Sequence, residues 1–146
     1  MESELCFVTG KNVIRIQVRS TEIDVNGHVN NAKYLEYLEW GREDWYEETG
    51  LDYQTLTNIG ISTVVAHVSA NYRHEAVQND TLTITTWLEE VRNTSLVMAQ
   101  TIYNQRVELV LDASFVLVCV DPTTHTKVRV PDAIRNRLCE HPSSQE

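Results

Sequence analysis

Glycine is scarce in this chain of 146 residues: there are five, at positions 10, 27, 41, 50 and 60. That spacing writes no P-loop, no dinucleotide fingerprint and no G-x-S-x-G nucleophile elbow. Cysteine is scarcer still. Cys6, Cys119 and Cys139 are odd in number, far apart and form no C-x-x-C, so neither a disulfide framework nor a zinc site is expected. The five histidines, at 28, 67, 74, 125 and 141, show no metal-ligand spacing. Positive charge is also short. Twelve Lys and Arg against 21 Asp and Glu leave a formal charge of −9, which argues against a general nucleic-acid binder because phosphate contacts need a basic surface. No apolar run approaches the ~18–20 residues of a membrane span. The opening MESELCFVTG lacks the basic-then-apolar layout of a signal peptide, so a cytoplasmic protein with reduced thiols is expected.

What the chain does have is an ordinary globular balance, 42% apolar and 23% charged. Its length fits one domain spanning 1–146, with HPSSQE at 141–146 as a disordered tail. A chain of this size buries roughly 68–70% of its unfolded surface and needs no staples. NVIRIQVRS alternates, with Ile14, Ile16 and Val18 on one face, and reads as a half-buried strand. From about Asn31 to Glu48 the period becomes helical. Tyr34, Leu38, Gly41 and Trp45 form the apolar face, Glu36, Glu39, Glu43 and Glu47 the opposite stripe, and Thr49–Gly50 the stop.

After a short linking piece the period returns to two. Val64, Ala66, Val68, Ala70 and Tyr72 are expected to share one strand face. TLTITTWL, SLVMAQTIY and VELVLDASFVLVCV follow as strands joined by tight turns, with Cys119 as a small core residue. PDAIRNRLCEH suggests a short helix seated on Ile134 and Leu138. Successive strands with short connections make antiparallel neighbours. The predicted class is α+β: one long helix against a single curved antiparallel five-stranded sheet, in the order β-α-β-β-β-β.

Between the first strand and the helix lies EIDVNGHVNNA, the densest cluster of polar turn-forming residues in the chain. Asp24, Asn26, Gly27 and Asn30 suit a turn and a helix cap. A cap needs only one side chain, however, and the loop also carries His28 and Asn31. It delivers a carboxylate and an imidazole beside a helix N-terminus, whose unpaired N–H groups favour negative charge. The pattern fits both a structural turn and a site for acyl hydrolysis.

The stretch RSTEIDVNGHVNNAKYLEY resembles the signature of hotdog-fold acyl thioesterases of the 4-hydroxybenzoyl-CoA thioesterase group. The resemblance continues more loosely through ANYRHEAVQNDTLTI and VDPTTHTKVRVP. It implies the hotdog fold, the order derived above. By position it implies Asp24 as the catalytic carboxylate, Asn31 as the residue whose backbone N–H polarises the thioester carbonyl, and Gly27 as the loop glycine. His28 would assist, with Asn26 beside it. It implies a homodimer or homotetramer with sites at the subunit interface, and no metal or redox cofactor. The run Asp24, Asn26, His28 is also similar to the active-site loop of acyl-ACP thioesterases, so the carrier is CoA or ACP. A CoA nucleotide would call for local cations, for which Arg73, His74 and Arg92 are the candidates. A non-catalytic hotdog module that binds acyl thioesters is the rival reading, and a hotdog dehydratase ranks lowest.

Overall fold

The computed structural model describes residues 10–138; Cys6, Cys139, His141 and the tail expected at 141–146 lie outside that range. β1 (Lys11–Gln17) leads through a 3-10 turn (Ser20–Glu22) and the polar loop into α1 (Asn31–Glu48). α2 (Tyr53–Ile59) then precedes β2 (Ser62–Tyr72), β3 (Thr81–Val91), β4 (Ser95–Tyr103) and β5 (Leu109–Val120), and α3 (Asp132–Arg135) follows the last strand. The five strands form one sheet in the order β1-β3-β4-β5-β2, antiparallel throughout. The α+β layout is the one the sequence predicts.

The helical pattern dictates how α1 lies on the sheet. Tyr34, Leu38, Gly41 and Trp45 are all buried, joined by Tyr37 and Arg42. They meet Leu82 and Ile84 of β3 and Met98 and Ile102 of β4, none of which is exposed. Glu39, Glu43 and Glu47 face outward as a solvated stripe. Asn12 of β1 donates to Asp44 Oδ2 at 2.8 Å and ties one flank of the helix to the edge strand. At the C-terminus the Thr49 hydroxyl donates to the Trp45 carbonyl at 2.7 Å, and Gly50 turns the chain at φ +77°.

Three expectations change. The linking piece holds a helix, α2, begun by Asp52 accepting from the Thr55 N–H at 2.9 Å and ended by Gly60 at φ +96°. It buries only Leu56, too little to leave an apolar period in the sequence. The C-terminal helix is shorter than expected: Ile134 is buried, but Leu138 lies beyond α3 and is 39% exposed. In β2 the register against β5 slips between Val65 and His67, so Ala66 is an extra residue. Val65 lies opposite Leu117 and Val68 opposite Phe115, on the inner face; Val64 therefore does not share a face with Val68. β2 is an edge strand exposed along most of its length.

The hairpin between β4 and β5 carries a strained residue. Val107 adopts φ +62° and is 78% exposed. A left-handed conformation costs an L-residue ~1–2 kcal/mol, and a β-branched one sits at the high end. Val107→Gly is expected to raise stability by about 1 kcal/mol after the added chain entropy of glycine is subtracted. A thermal melt with unchanged or lower Tm would show that the hairpin does not hold this strain.

Candidate active site

The polar loop folds on itself before the helix begins. Ile23 and Val29 form an isolated antiparallel bridge. Inside it the Asp24 N–H donates to the His28 carbonyl at 2.9 Å, and the Gly27 N–H to the Asp24 carbonyl at 3.1 Å. Gly27 takes φ +88°, the left-handed position that completes such a three-residue turn and that glycine enters at least cost. The Asp24 carboxylate accepts the Asn26 N–H at 2.9 Å through Oδ1. Oδ2 has no partner among the described residues. The turn thus uses half of the carboxylate and leaves the other half free.

The base of the loop is held from two directions. The Asn30 N–H donates to the Glu22 carbonyl at 3.0 Å, while the Glu22 carboxylate accepts from the Tyr37 hydroxyl at 2.8 Å. Burial, and then the Glu22 carboxylate, push the Tyr37 phenol far above its ordinary pKa, so it stays a donor. On the other side the Val29 N–H donates to the Ala76 carbonyl at 2.9 Å, and the Tyr34 hydroxyl accepts the Ala76 N–H at 3.1 Å.

The head of α1 divides its N–H groups unequally. The Asn30 side chain accepts the Ala32 N–H at 2.9 Å, and the Asn30 carbonyl accepts that of Lys33 at 2.9 Å. The Asn31 N–H has no acceptor among the described residues. Asn30 therefore caps the helix while Asn31 keeps an open donor at its positive end. A carboxylate with a free oxygen and an open donor at a helix terminus can respectively attack, or activate water against, a carbonyl and stabilise its oxygen.

The other candidate residues are placed as follows. His28 Nε2 stands 3.3 Å from Glu75 Oε2, so the imidazole reaches the segment after β2. Asn26 sits in the turn itself. Arg73 Nε donates to Asp112 Oδ2 at 2.7 Å, and this guanidinium, then Asn71, hold Asp112 below the usual carboxylate range. His74 faces Glu108 at 3.3 Å and Arg92 faces Glu90 at 2.8 Å. Arg92 follows the end of β3 opposite the loop, because Thr81 at its start pairs with Gln17. Each of the three candidates thus already meets a carboxylate. Among the described residues no group of three His, Cys, Asp or Glu could hold a metal ion. Cys119 is buried, which pushes its thiol up to about 11.

One flank of α1, leading away from this loop, lies along β2. The Tyr34 and Tyr72 rings meet edge to face at 5.5 Å at one end, and the Tyr46 hydroxyl lies 3.1 Å from Thr63 Oγ1 at the other. Leu35, Val65 and Val68 are exposed between them. The profile of the thioesterase-like superfamily matches residues 18–138, which takes in the loop, α1 and β2.

The chain belongs to the thioesterase-like superfamily. The long-chain acyl-CoA thioesterase FadM of Escherichia coli (strain K12) is 37% identical to it over 125 residues, 85% of this chain and 94% of FadM. The acyl-CoA thioester hydrolase YbgC of Escherichia coli O157:H7 is 29% identical over 119 residues, 82% of this chain and 89% of YbgC. Among solved structures, YbaW, a probable thioesterase from Escherichia coli, matches with a TM-score of 0.79 at 35% identity, covering 86% of this chain and 95% of that one. The fold is the hotdog fold and the enzyme is a thioester hydrolase.

Within this thioesterase the sequence pointed to the loop but missed two neighbours. Glu75 stands against His28, and only the contact across the fold pairs them. Arg42 is buried on α1 at 9% exposure. Its signal was legible: on a helical wheel it falls beside Leu38 and Gly41, inside the apolar arc.

Proposed function

We propose that the chain hydrolyses acyl-CoA to the free acid and CoA at the Asp24 loop. The observation that supports this best is the open N–H of Asn31 at the head of α1, which the loop carrying Asp24, a carboxylate with one uncommitted oxygen, leads into. The thioester carbonyl oxygen would rest against the Asn31 N–H. As the carbonyl is attacked, negative charge grows on that oxygen, and one such donor is worth about 10²–10³ in rate. Asp24 either adds to the carbonyl carbon, expelling the thiolate and leaving a mixed anhydride that water cleaves, or takes the proton of the attacking water. His28 and Asn26 hold the loop or the water. Gly27 keeps the turn open.

The narrower placing in the 4-hydroxybenzoyl-CoA thioesterase group rests on the same loop. For the carrier we favour CoA. Its phosphates would draw Arg73 away from Asp112, an exchange that costs little because solvent screens an exposed ion pair. The site is read as shared between subunits. β2 exposes an unpaired edge and apolar side chains, a hazard that pairing with a second copy removes. Val25, at the tip of the loop, is fully exposed and fits a contact with the neighbouring subunit.

The reading is tested by thiol release over short, long, branched and aromatic acyl-CoAs, with acyl-ACPs alongside. Hydrolysis of acyl-CoA with a higher kcat/KM than of the matching acyl-ACP is expected, from a dimer or tetramer by light scattering. No turnover of any thioester would leave the binding-module reading standing. A stable, active monomer at micromolar concentration would defeat the shared site.

A further inference from the structure

Arg42 is the only Lys or Arg buried among the described residues, and the proposed hydrolysis does not use it. Its guanidinium lies 3.9 Å from the centre of the Phe115 ring and donates through Nη1 to Gln100 Oε1 at 3.1 Å. Gln100 is locked in turn, since its Nε2 donates to the Leu38 carbonyl and to Thr86 Oγ1, both at 2.8 Å. The amide oxygen must therefore face Arg42. Among the described residues no carboxylate pairs with Arg42; Glu39 and Glu43 act on it only at longer range. One of the five N–H donors of a guanidinium is thus engaged, and the rest have no partner among the described residues. Among the described residues no fully buried side-chain nitrogen or oxygen lacks a partner, so these free donors lie at the edge of Arg42 that still reaches solvent.

Arg42 lies on the flank of α1 that faces β5 and β2. Asn31, Leu35, Leu38, Arg42 and Tyr46 follow one another at i, i+4, i+7, i+11 and i+15, one flank of α1. The flank faces the inner sides of β5 and β2, as the contacts of Arg42 with Phe115 and of Tyr46 with Thr63 demonstrate. The open donor of Asn31 and the cation are therefore two points on one path. Their Cα atoms are about 16 Å apart along the axis at ~1.5 Å per residue. Helical side chains lean toward the N-terminus, which brings the guanidinium back to roughly 12 Å. With C–C bonds of ~1.5 Å an extended chain advances ~1.3 Å per carbon, so that span holds roughly eight to twelve carbons.

Resting on the hydrolase reading, we infer that Arg42 determines specificity: its free donors bind an oxygen carried on the acyl chain near that depth, which makes oxygen-bearing acyl thioesters the favoured substrates. A plain hydrocarbon laid along this flank would strip the remaining water from a buried cation and return nothing. An uncompensated buried charge is expensive, and unpaired polar groups are the strongest means of rejecting a substrate that lacks their partner. A carboxylate at the chain end and a hydroxyl or carbonyl within it offer the same acceptor chemistry.

The test compares kcat/KM of the wild type on dodecanoyl-CoA, on its ω-carboxy analogue, and on mid-chain hydroxy and oxo analogues. At least one oxygenated chain is expected to be preferred by roughly tenfold to hundredfold, the worth of one hydrogen bond to a charged group. Preference for the ω-carboxy chain identifies charge pairing, and preference for the hydroxy or oxo chain a neutral acceptor. In Arg42→Met the ratio is expected to fall to near one, mainly through KM, and in Arg42→Lys to fall only in part. A wild type that hydrolyses dodecanoyl-CoA as well as every analogue overturns the inference, and so does an unchanged ratio in Arg42→Met. If Arg42→Met does not fold, the wild-type ratio and Arg42→Lys decide. Folded wild type that hydrolyses no thioester at all would instead overturn the hydrolase reading, and the inference with it.

Discussion

Asp24→Asn is expected to lower kcat by ~10³-fold while leaving the loop folded, because a positioned acid–base group contributes about 10²–10⁴. The substitution is a clean probe for a structural reason. The Asn26 N–H is accepted by Oδ1 of Asp24, and an asparagine oxygen accepts it equally well. The turn that presents Asn31 is therefore kept, and only the charge and basicity are lost. Asp24→Ala would remove both and confuse the two effects. A melt within a few degrees of wild type, together with undiminished binding of a non-hydrolysable thioester analogue, would locate the loss in the chemical step. His28→Ala is expected to cost less than Asp24→Asn, since His28 reaches outward to Glu75. Equal losses would mean that the two act as one unit. A variant of Asp24 that keeps most of its kcat would remove it from the mechanism and return attention to Glu36 and the helix.

What could be read from the sequence was what local chemistry decides. The arc of Tyr34, Leu38, Gly41 and Trp45 is set by the 3.6-residue period, and burial follows it. The loop was legible because Asp, Asn and Gly have few reasons to be so dense. What escaped depends on partners distant in sequence. The bulge at Ala66 is one residue inserted against β5, and it moves Val64 and Val65 to opposite faces from those that simple alternation assigns. The pairing of Arg73 with Asp112 links two strands 39 residues apart. Arg42 escaped for another reason. A cation in an apolar arc is easily taken for a surface residue at its rim, and only the contact with Gln100 and Phe115 reveals it as an interior one.

Gly41→Ala is expected to lower Tm by up to about 8 °C, against the direction that helix propensity predicts. On an exposed helix face this change would stabilise by up to ~1 kcal/mol. Here a Cβ would stand 2.8 Å from Thr86 Oγ1, 2.9 Å from Gln100 Nε2 and 2.9 Å from Ile84 Cγ2. None of the three can move freely. Thr86 and Ile84 belong to β3, and Gln100 Nε2 is fixed by its bonds to Thr86 and to the Leu38 carbonyl. Overpacking of this kind costs ~1–3 kcal/mol, and for a chain of this length each 1 kcal/mol moves Tm by roughly 4 °C. The contact term wins, so α1 must lift from the sheet or the amide must turn. Either response reaches the site, because Gln100 holds Arg42 and α1 carries Asn31. Activity below the melting transition is therefore expected to fall as well, by more than loss of folded protein explains. A Gly41→Ala variant with wild-type Tm and wild-type kcat/KM would show that the helix does not rest on the sheet at this point.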